Sequence, residues 1–101
     1  MTDRRRLPNR RGHELFDFDH TGISYTAGVG RFEDGRLAEI FLNTRKHGTG
    51  LDTNARDASI AASLLFQHGC SVETLRHALT RNGDGSATGP LARALDLLAL
   101  P

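Results

Sequence analysis

The chain has 101 residues, of which 38% are hydrophobic and 25% are charged, a composition typical of one globular domain. Its single cysteine excludes an internal disulfide framework and a four-cysteine zinc site, and it favours a reducing cytoplasm. No apolar run approaches the ~20 residues that a membrane span needs. The five histidines are scattered without ligand spacing, so neither a metal site nor a cofactor is expected.

Charge is concentrated at the N-terminus, although the net charge of the chain is only +1. Five arginines and one aspartate within residues 1–12 give this segment a charge of +4, which leaves −3 for residues 13–101. We predict a basic, flexible arm over 1–12 and a single domain over 13–101. The arginines of the arm are Arg4, Arg5, Arg6, Arg10 and Arg11. Such an arm is either a solvated tail or a contact surface for nucleic acid or an acidic partner.

Three strands are predicted in the first half of the chain. Residues 14–20 alternate between apolar and polar types, and residues 23–33 are rich in β-branched and aromatic types. Residues 36–44 form the third strand. Thr21-Gly22 is compatible with a two-residue turn, and Asp34-Gly35 is typical of a type I′ hairpin turn, so the sequence predicts an antiparallel meander.

The two turns also predict the strand register. A turn at Thr21-Gly22 pairs Phe18 with Tyr25, and a turn at Asp34-Gly35 pairs Arg31 with Ala38. Because side chains alternate between faces, one face becomes apolar. It contains Phe16, Phe18, Ile23, Tyr25, Ala27, Val29, Ile40 and Leu42.

The opposite face of the sheet is mostly polar. Three apolar side chains, Phe32, Leu37 and Phe41, are nevertheless predicted on it. Together they would form a small exposed patch, which predicts a homo-oligomer or a contact with another protein.

Three helices are predicted after the strands. The first covers about 54–68 and is capped by Asp52 or Thr53, and the second covers about ten residues after Ser71. The third begins at Pro90. Strands followed by a block of helices predict an α+β domain, with a three-stranded antiparallel meander and three helices packed on one face.

The first predicted helix has an uneven surface. It carries a polar stripe at spacings of three and four residues, made of Arg56, Ser59, Ser63 and Gln67. Nearly all its other positions are apolar, which predicts a mostly buried helix lying across the sheet.

The connection between the third strand and the first helix is a candidate anion site. Glycines allow the backbone to approach a ligand, the helix N-terminus offers free N–H groups, and basic side chains add charge. The candidate residues are Arg45, Lys46, His47, Gly48, Thr49, Gly50, Thr53, Asn54 and Arg56. The spacing matches neither a P-loop nor a dinucleotide fingerprint, and a plain connector also uses glycines, so both interpretations stay open.

The segment 58–81 reads as a helix, a glycine-containing turn and a second helix with Arg76 and Arg81 exposed. This pattern is found in DNA-binding helix-turn-helix proteins, and also in a helical hairpin that packs on a sheet.

Several stretches together resemble the TSCPD-domain family. They are the strand end Glu39–Asn43, Lys46 with its glycine loop, the helix end Leu65–Gly69, and the helix start Ser71–Leu75. This family is a small module often found at the C-terminal end of ribonucleotide reductases, notably of the adenosylcobalamin-dependent class. The Thr-Ser-Cys-Pro-Asp string that names it is absent here.

The resemblance implies an accessory, regulatory or docking module of deoxyribonucleotide synthesis without catalysis of its own. Its ligand would be a nucleotide phosphate or a carboxylate of a partner protein such as a reductase. The alternative is a small nucleic-acid-binding protein that uses the arginine arm and the 71–81 helix.

Overall fold

The computed structural model describes residues 4, 13–45 and 50–100. Its elements follow the chain as β1 His13–His20, β2 Ile23–Arg31, β3 Leu37–Thr44, α1 Gly50–Gln67, α2 Val72–Ala78 and α3 Pro90–Leu98. The strands form one antiparallel sheet in the order β1-β2-β3. The predicted α+β arrangement, a meander followed by three helices, is confirmed.

The first hairpin forms as the sequence predicts. Thr21 and Gly22 both have positive φ, 50° and 80°, which is the backbone that a type I′ turn requires. This turn places Phe18 opposite Tyr25.

The second hairpin differs from the prediction, because its loop has three residues, Glu33–Gly35, rather than two. The Gly35 N–H donates to the Phe32 carbonyl oxygen at 2.9 Å, and the Phe32 N–H donates to the Arg36 carbonyl oxygen at 2.9 Å. Gly35 alone in this loop has a positive φ, of 89°. A type I turn followed by one left-handed residue is a common three-residue hairpin.

A β-bulge next to this loop restores the predicted register between β2 and β3 from Gly30 and Glu39 onward, away from the loop. Gly30 pairs with Glu39, but Arg31 pairs with Leu37, so that Ala38 is the extra residue on β3. The predicted pairing of Arg31 with Ala38 is therefore wrong.

The bulge also removes the predicted apolar patch on the outer face. An extra residue reverses the side on which the preceding side chain points. Leu37 accordingly joins the core, and Phe32 beside the loop is buried as well, each being 6% exposed. Phe41 is 40% exposed and stands on the outer face without the other two.

The inner face of the sheet carries the hydrophobic core. Sheet residues such as Tyr25, Val29 and Ile40 pack with residues from α1 and α3. The helix residues in this cluster are Ala55, Ala62, Phe66, Leu91, Ala94 and Leu95.

Local signals set some helix ends correctly. Ser71 caps α2 as predicted, since its Oγ accepts the Thr74 N–H at 3.0 Å. Helix α3 begins at Pro90, as predicted. Helix α1 begins at Gly50, earlier than predicted, and α2 ends at Ala78, so the predicted 71–81 helix is too long.

Helix α1 lies along the free edge of β3 rather than across the sheet. An edge strand presents unpaired N–H and C=O groups on alternate residues. Side chains of α1 meet these groups. Ser63 Oγ accepts the Ile40 N–H at 2.9 Å and lies 3.0 Å from the Ile40 carbonyl oxygen, and Ser59 Oγ accepts the Leu42 N–H at 3.3 Å.

The two ends of α1 continue this edge contact. Asp52 Oδ1 accepts the Thr44 N–H at 3.0 Å near the helix start. Gln67 Nε2 donates to the Ala38 carbonyl oxygen at 3.1 Å at the helix end. These four side chains of α1 therefore form hydrogen bonds with the edge of β3 where a fourth strand would otherwise pair.

This arrangement buries the polar stripe and exposes apolar residues, so the predicted mostly buried helix is wrong. Ser59, Ser63 and Gln67 are all buried. Arg56, predicted on the same stripe, is exposed. The helix leaves several large apolar side chains in solvent, namely Leu51, Ile60 and Leu64.

Replacing Gly30 with alanine is expected to lower the free energy of unfolding by about 1 kcal/mol or more, as overpacking does. A Cβ at this position would lie 2.7 Å from Glu39 Oε1 and 2.9 Å from Glu39 Cγ. Gly28→Ala is the control, because its Cβ would lie 3.2 Å from Cδ2 of the exposed Leu15, which can move. Urea denaturation of both variants checks this, and equal stabilities would contradict it.

Within the part of the chain that the structure describes, no helix combines the length and the apolarity of a membrane span. No group of three or more potential metal ligands is found among the same residues.

Candidate functional site

The predicted anion site is described only in part. Lys46, His47, Gly48 and Thr49 lie outside the described residues. The remaining members of the candidate set are exposed around the start of α1: Arg45, Gly50, Thr53, Asn54 and Arg56.

Both arginines that the structure describes around the start of α1 form ion pairs with carboxylates. Arg45 Nη2 lies 3.1 Å from Asp17 Oδ2, and Arg56 Nη1 lies 3.8 Å from Asp52 Oδ2. Hydrogen bonding from Thr26 and the charge of Arg45 hold the pKa of Asp17 below its ordinary value. These pairs reduce the positive charge that an incoming phosphate would meet.

The first turn of α1 also contains its own carboxylate. Asp52 is 3% exposed, and its Oδ1 accepts hydrogen bonds from the Thr44 N–H and, at 3.2 Å, from the Thr44 hydroxyl. A carboxylate here is favoured by the helix dipole, and it would repel a second anion. The sequence predicts Asp52 or Thr53 as the cap of this helix, but both lie inside α1, and Asp52 holds the end of β3. Phosphate binding at this corner stays a prediction.

Arg76 and Arg81, which the sequence assigns to the predicted nucleic-acid surface, are engaged within the fold. Arg76 Nε lies 2.8 Å from Asp96 Oδ1, and Arg81 places Nη1 and Nη2 on the two oxygens of the same carboxylate. Their side chains are 24% and 25% exposed. The two guanidinium groups therefore join α2 and the following loop to α3, which is a structural use of both charges.

The arginine arm is represented in the structure by Arg4. Its Nε donates a hydrogen bond to Gln67 Oε1. The other arginines named for the arm, Arg5, Arg6, Arg10 and Arg11, lie outside the described residues. Nucleic-acid binding by the arm stays a prediction.

An exposed apolar surface lies where the outer face of β3 meets α1. Phe41 on β3 is 40% exposed, and Ile60 and Leu64 on α1 are 51% and 40% exposed. We call these three residues the seam patch. They line one shallow cavity of about 140 Å³.

Polar groups complete this cavity. Glu39, Gln67 and Arg4 line it together with the seam patch. Glu39 and Gln67 are each 5% exposed, although Glu39 lies on the outer face of the sheet and Gln67 at the edge of β3. The seam thus combines apolar walls with two nearly buried oxygen-bearing side chains.

Sequence reasoning missed this surface because it assigned the apolar side of α1 to the core. One available signal was the four-residue spacing of Ser59, Ser63 and Gln67. Small hydroxyl side chains in the middle of a helix can bond to a neighbouring backbone, and such a stripe can face a sheet edge. Nothing local in the sequence identifies that edge.

Most of this chain aligns with curated proteins, among them two ribonucleotide reductases. The vitamin B12-dependent ribonucleotide reductase of Bradyrhizobium diazoefficiens is 31% identical over 80 residues, and that of Agrobacterium fabrum is 33% identical over 78 residues. The alignments cover 79% and 77% of this chain but only 6% of each reductase. The chain therefore contains a region similar to a small part of these enzymes.

No protein-family model matches the chain, and the search of solved structures gave no match. The relationship to ribonucleotide reductases is consequently supported by sequence alignments such as these, and membership of the TSCPD family stays a prediction.

Proposed function

We propose that this protein is a non-catalytic accessory module of ribonucleotide reduction that docks onto a reductase in the cytoplasm through the seam patch. The observation that carries the proposal is that α1 buries polar side chains and exposes large apolar ones. The buried members of its polar stripe, Ser63 and Gln67 among them, lie against β3, while Ile60 and Leu64 remain in solvent beside Phe41. A cluster of exposed large apolar side chains is typical of a protein interaction site.

Partner docking is better supported than binding of a nucleotide phosphate. The start of α1 holds the buried carboxylate of Asp52, and the described cations there, Arg45 and Arg56, lie against acidic residues. The seam patch has apolar area that a partner would remove from water. Burial of such area is the main favourable contribution to protein association.

The choice of a reductase as the partner is supported by the alignments with the two vitamin B12-dependent enzymes. A module similar to part of a large enzyme can occupy an equivalent place on another copy of that enzyme.

Replacing Ile60 and Leu64 together with glutamate is expected to weaken binding to a vitamin B12-dependent ribonucleotide reductase at least about tenfold. The two new carboxylates would have to be desolvated in the interface, whereas both positions tolerate charge in the free protein because they are exposed. Isothermal titration calorimetry of the purified proteins measures the effect.

Leu51→Glu is the matched control. Leu51 is 53% exposed on the same helix but lies about two and a half turns before Ile60, on the opposite side of α1. Its replacement should leave the affinity unchanged. Equal binding by the double variant, or no binding by the wild-type chain, would refute the proposal.

A further inference from the structure

We infer that the cavity between the seam patch, Glu39 and Gln67 is a docking groove for an arginine-bearing segment, and that Arg4 of the chain's own basic arm occupies it. This inference rests on the proposed function for its biological role, since it names what the same seam holds when no partner is bound. The contact itself is the hydrogen bond from Arg4 to Gln67, in a cavity that Glu39 also lines.

The acceptor at the end of the groove is oriented by the sheet edge. Gln67 Nε2 donates to the Ala38 carbonyl oxygen at 3.1 Å, which directs Gln67 Oε1 away from β3. This oxygen belongs to a side chain that is 5% exposed, so it needs a hydrogen-bond donor. Arg4 Nε is that donor.

The second polar group favours a cation over a neutral donor. Glu39 lines the same cavity as Arg4 and is 5% exposed. A carboxylate taken out of water is stabilised by a nearby positive charge. A guanidinium carries five N–H donors in a planar fork, and it can therefore serve an amide oxygen and a carboxylate together.

The rest of the groove suits the stem of the same side chain. Phe41, Ile60 and Leu64 supply apolar walls around the cavity that Arg4 lines. Arginine buries its methylene groups along apolar surface while its charged end reaches polar partners. The seam therefore matches both parts of an arginine.

The length of the arm permits this contact. His13 at the start of β1 pairs with Gly30, which pairs with Glu39 on β3. Two strand spacings correspond to about 10 Å across the sheet. The eight residues between Arg4 and His13 span up to about 30 Å when extended, which is enough to cross the outer face and reach α1.

The test compares Arg4→Ala with Arg5→Ala in the full-length, ¹⁵N-labelled chain by nuclear magnetic resonance. The two variants lose the same charge from adjacent positions. The side-chain amide signals of Gln67 and the backbone amides of Phe41, Ile60 and Leu64 are expected to shift in Arg4→Ala and to stay in place in Arg5→Ala. Unchanged Gln67 signals in Arg4→Ala, or equal shifts in both variants, would overturn the inference.

This experiment needs no reductase, so its outcome is separate from that of the proposed function. If the reductase fails to bind while Gln67 responds to Arg4→Ala alone, the groove stands and the proposed partner falls. If the wild-type chain binds the reductase and Gln67 also responds to Arg4→Ala alone, Arg4→Ala should bind the reductase several-fold more tightly. The reason is that the chain's own arginine then no longer competes with the reductase for the groove.

Discussion

Acidification is expected to lower the free energy of unfolding of the wild-type protein by about 2 kcal/mol through protonation of Asp96 alone. The variant Asp96→Asn should lack this contribution already at neutral pH. The carboxylate receives both Nη atoms of Arg81 and the Nε of Arg76. These hydrogen bonds, first of all those from Arg81, lower the pKa of Asp96 to about 2, against an ordinary value of 3.8.

The direction of the pH effect follows from the lowered pKa. The folded state binds the proton of Asp96 less readily than the unfolded state, so the stabilisation is complete above the ordinary pKa. It is lost as the pH falls from about 5 through the folded value of about 2. Asp96 is 23% exposed at its side chain, so solvent screens this cluster only in part.

Urea denaturation of wild type and Asp96→Asn at several pH values between 6 and 2 measures this contribution. The difference in free energy of unfolding should be largest at pH 6 and should shrink toward pH 2. Asp57→Asn, at an exposed position of α1, is the control and should show a small difference throughout. A difference for Asp96→Asn that stays constant with pH would contradict the role of its charge.

Replacing Ser63 with alanine is expected to lower the free energy of unfolding by about 1–3 kcal/mol. The variant removes the acceptor of the buried Ile40 N–H, and alanine cannot replace it. Helix propensity alone predicts the opposite sign, because alanine favours a helix more than serine does by a few tenths of a kcal/mol. The sign of the change therefore separates the two effects.

The control for Ser63→Ala is Asn54→Ala, which makes a similar gain in helix propensity at an exposed position of α1. Asn54→Ala should leave stability unchanged or raise it slightly. Thermal and urea unfolding followed by circular dichroism compare the two variants. If Ser63→Ala were as stable as the wild type, the hydroxyl groups of α1 would not be needed at the edge of β3.

Features that depend on a few neighbouring residues were predictable from the sequence. Thr21-Gly22 forms the predicted turn because both residues adopt a left-handed backbone there. Ser71 caps α2 through a hydrogen bond to a residue three positions later. The apolar face of the sheet follows from the alternation of side chains along each strand.

The second hairpin shows where a local signal was insufficient. Asp34-Gly35 is compatible with both a two-residue and a three-residue loop, since both place a glycine with positive φ near the end of the turn. The extra residue and the bulge at Ala38 decided that Leu37 would be buried rather than exposed.

The candidate site could not be derived from the sequence. Arg76 and Arg81 look like free cations along the chain, but Asp96 reaches them from 20 and 15 residues away. The seam patch likewise needs Phe41 of β3 to lie beside α1, which local patterns do not specify.

The amino-acid sequence by itself determined the meander, the inner face and the order of the three helices, because alternation and turn residues act over short distances. Only the tertiary structure decided which side of α1 faces solvent. The N–H groups at the edge of β3 have no partner strand, so a stripe of hydroxyl side chains packs there better than apolar ones do. Ile40 and Ser63, which form one such hydrogen bond, are 23 residues apart in the chain. Hydrogen bonding to that edge therefore outweighed the burial of Ile60 and Leu64, and it left them at the surface.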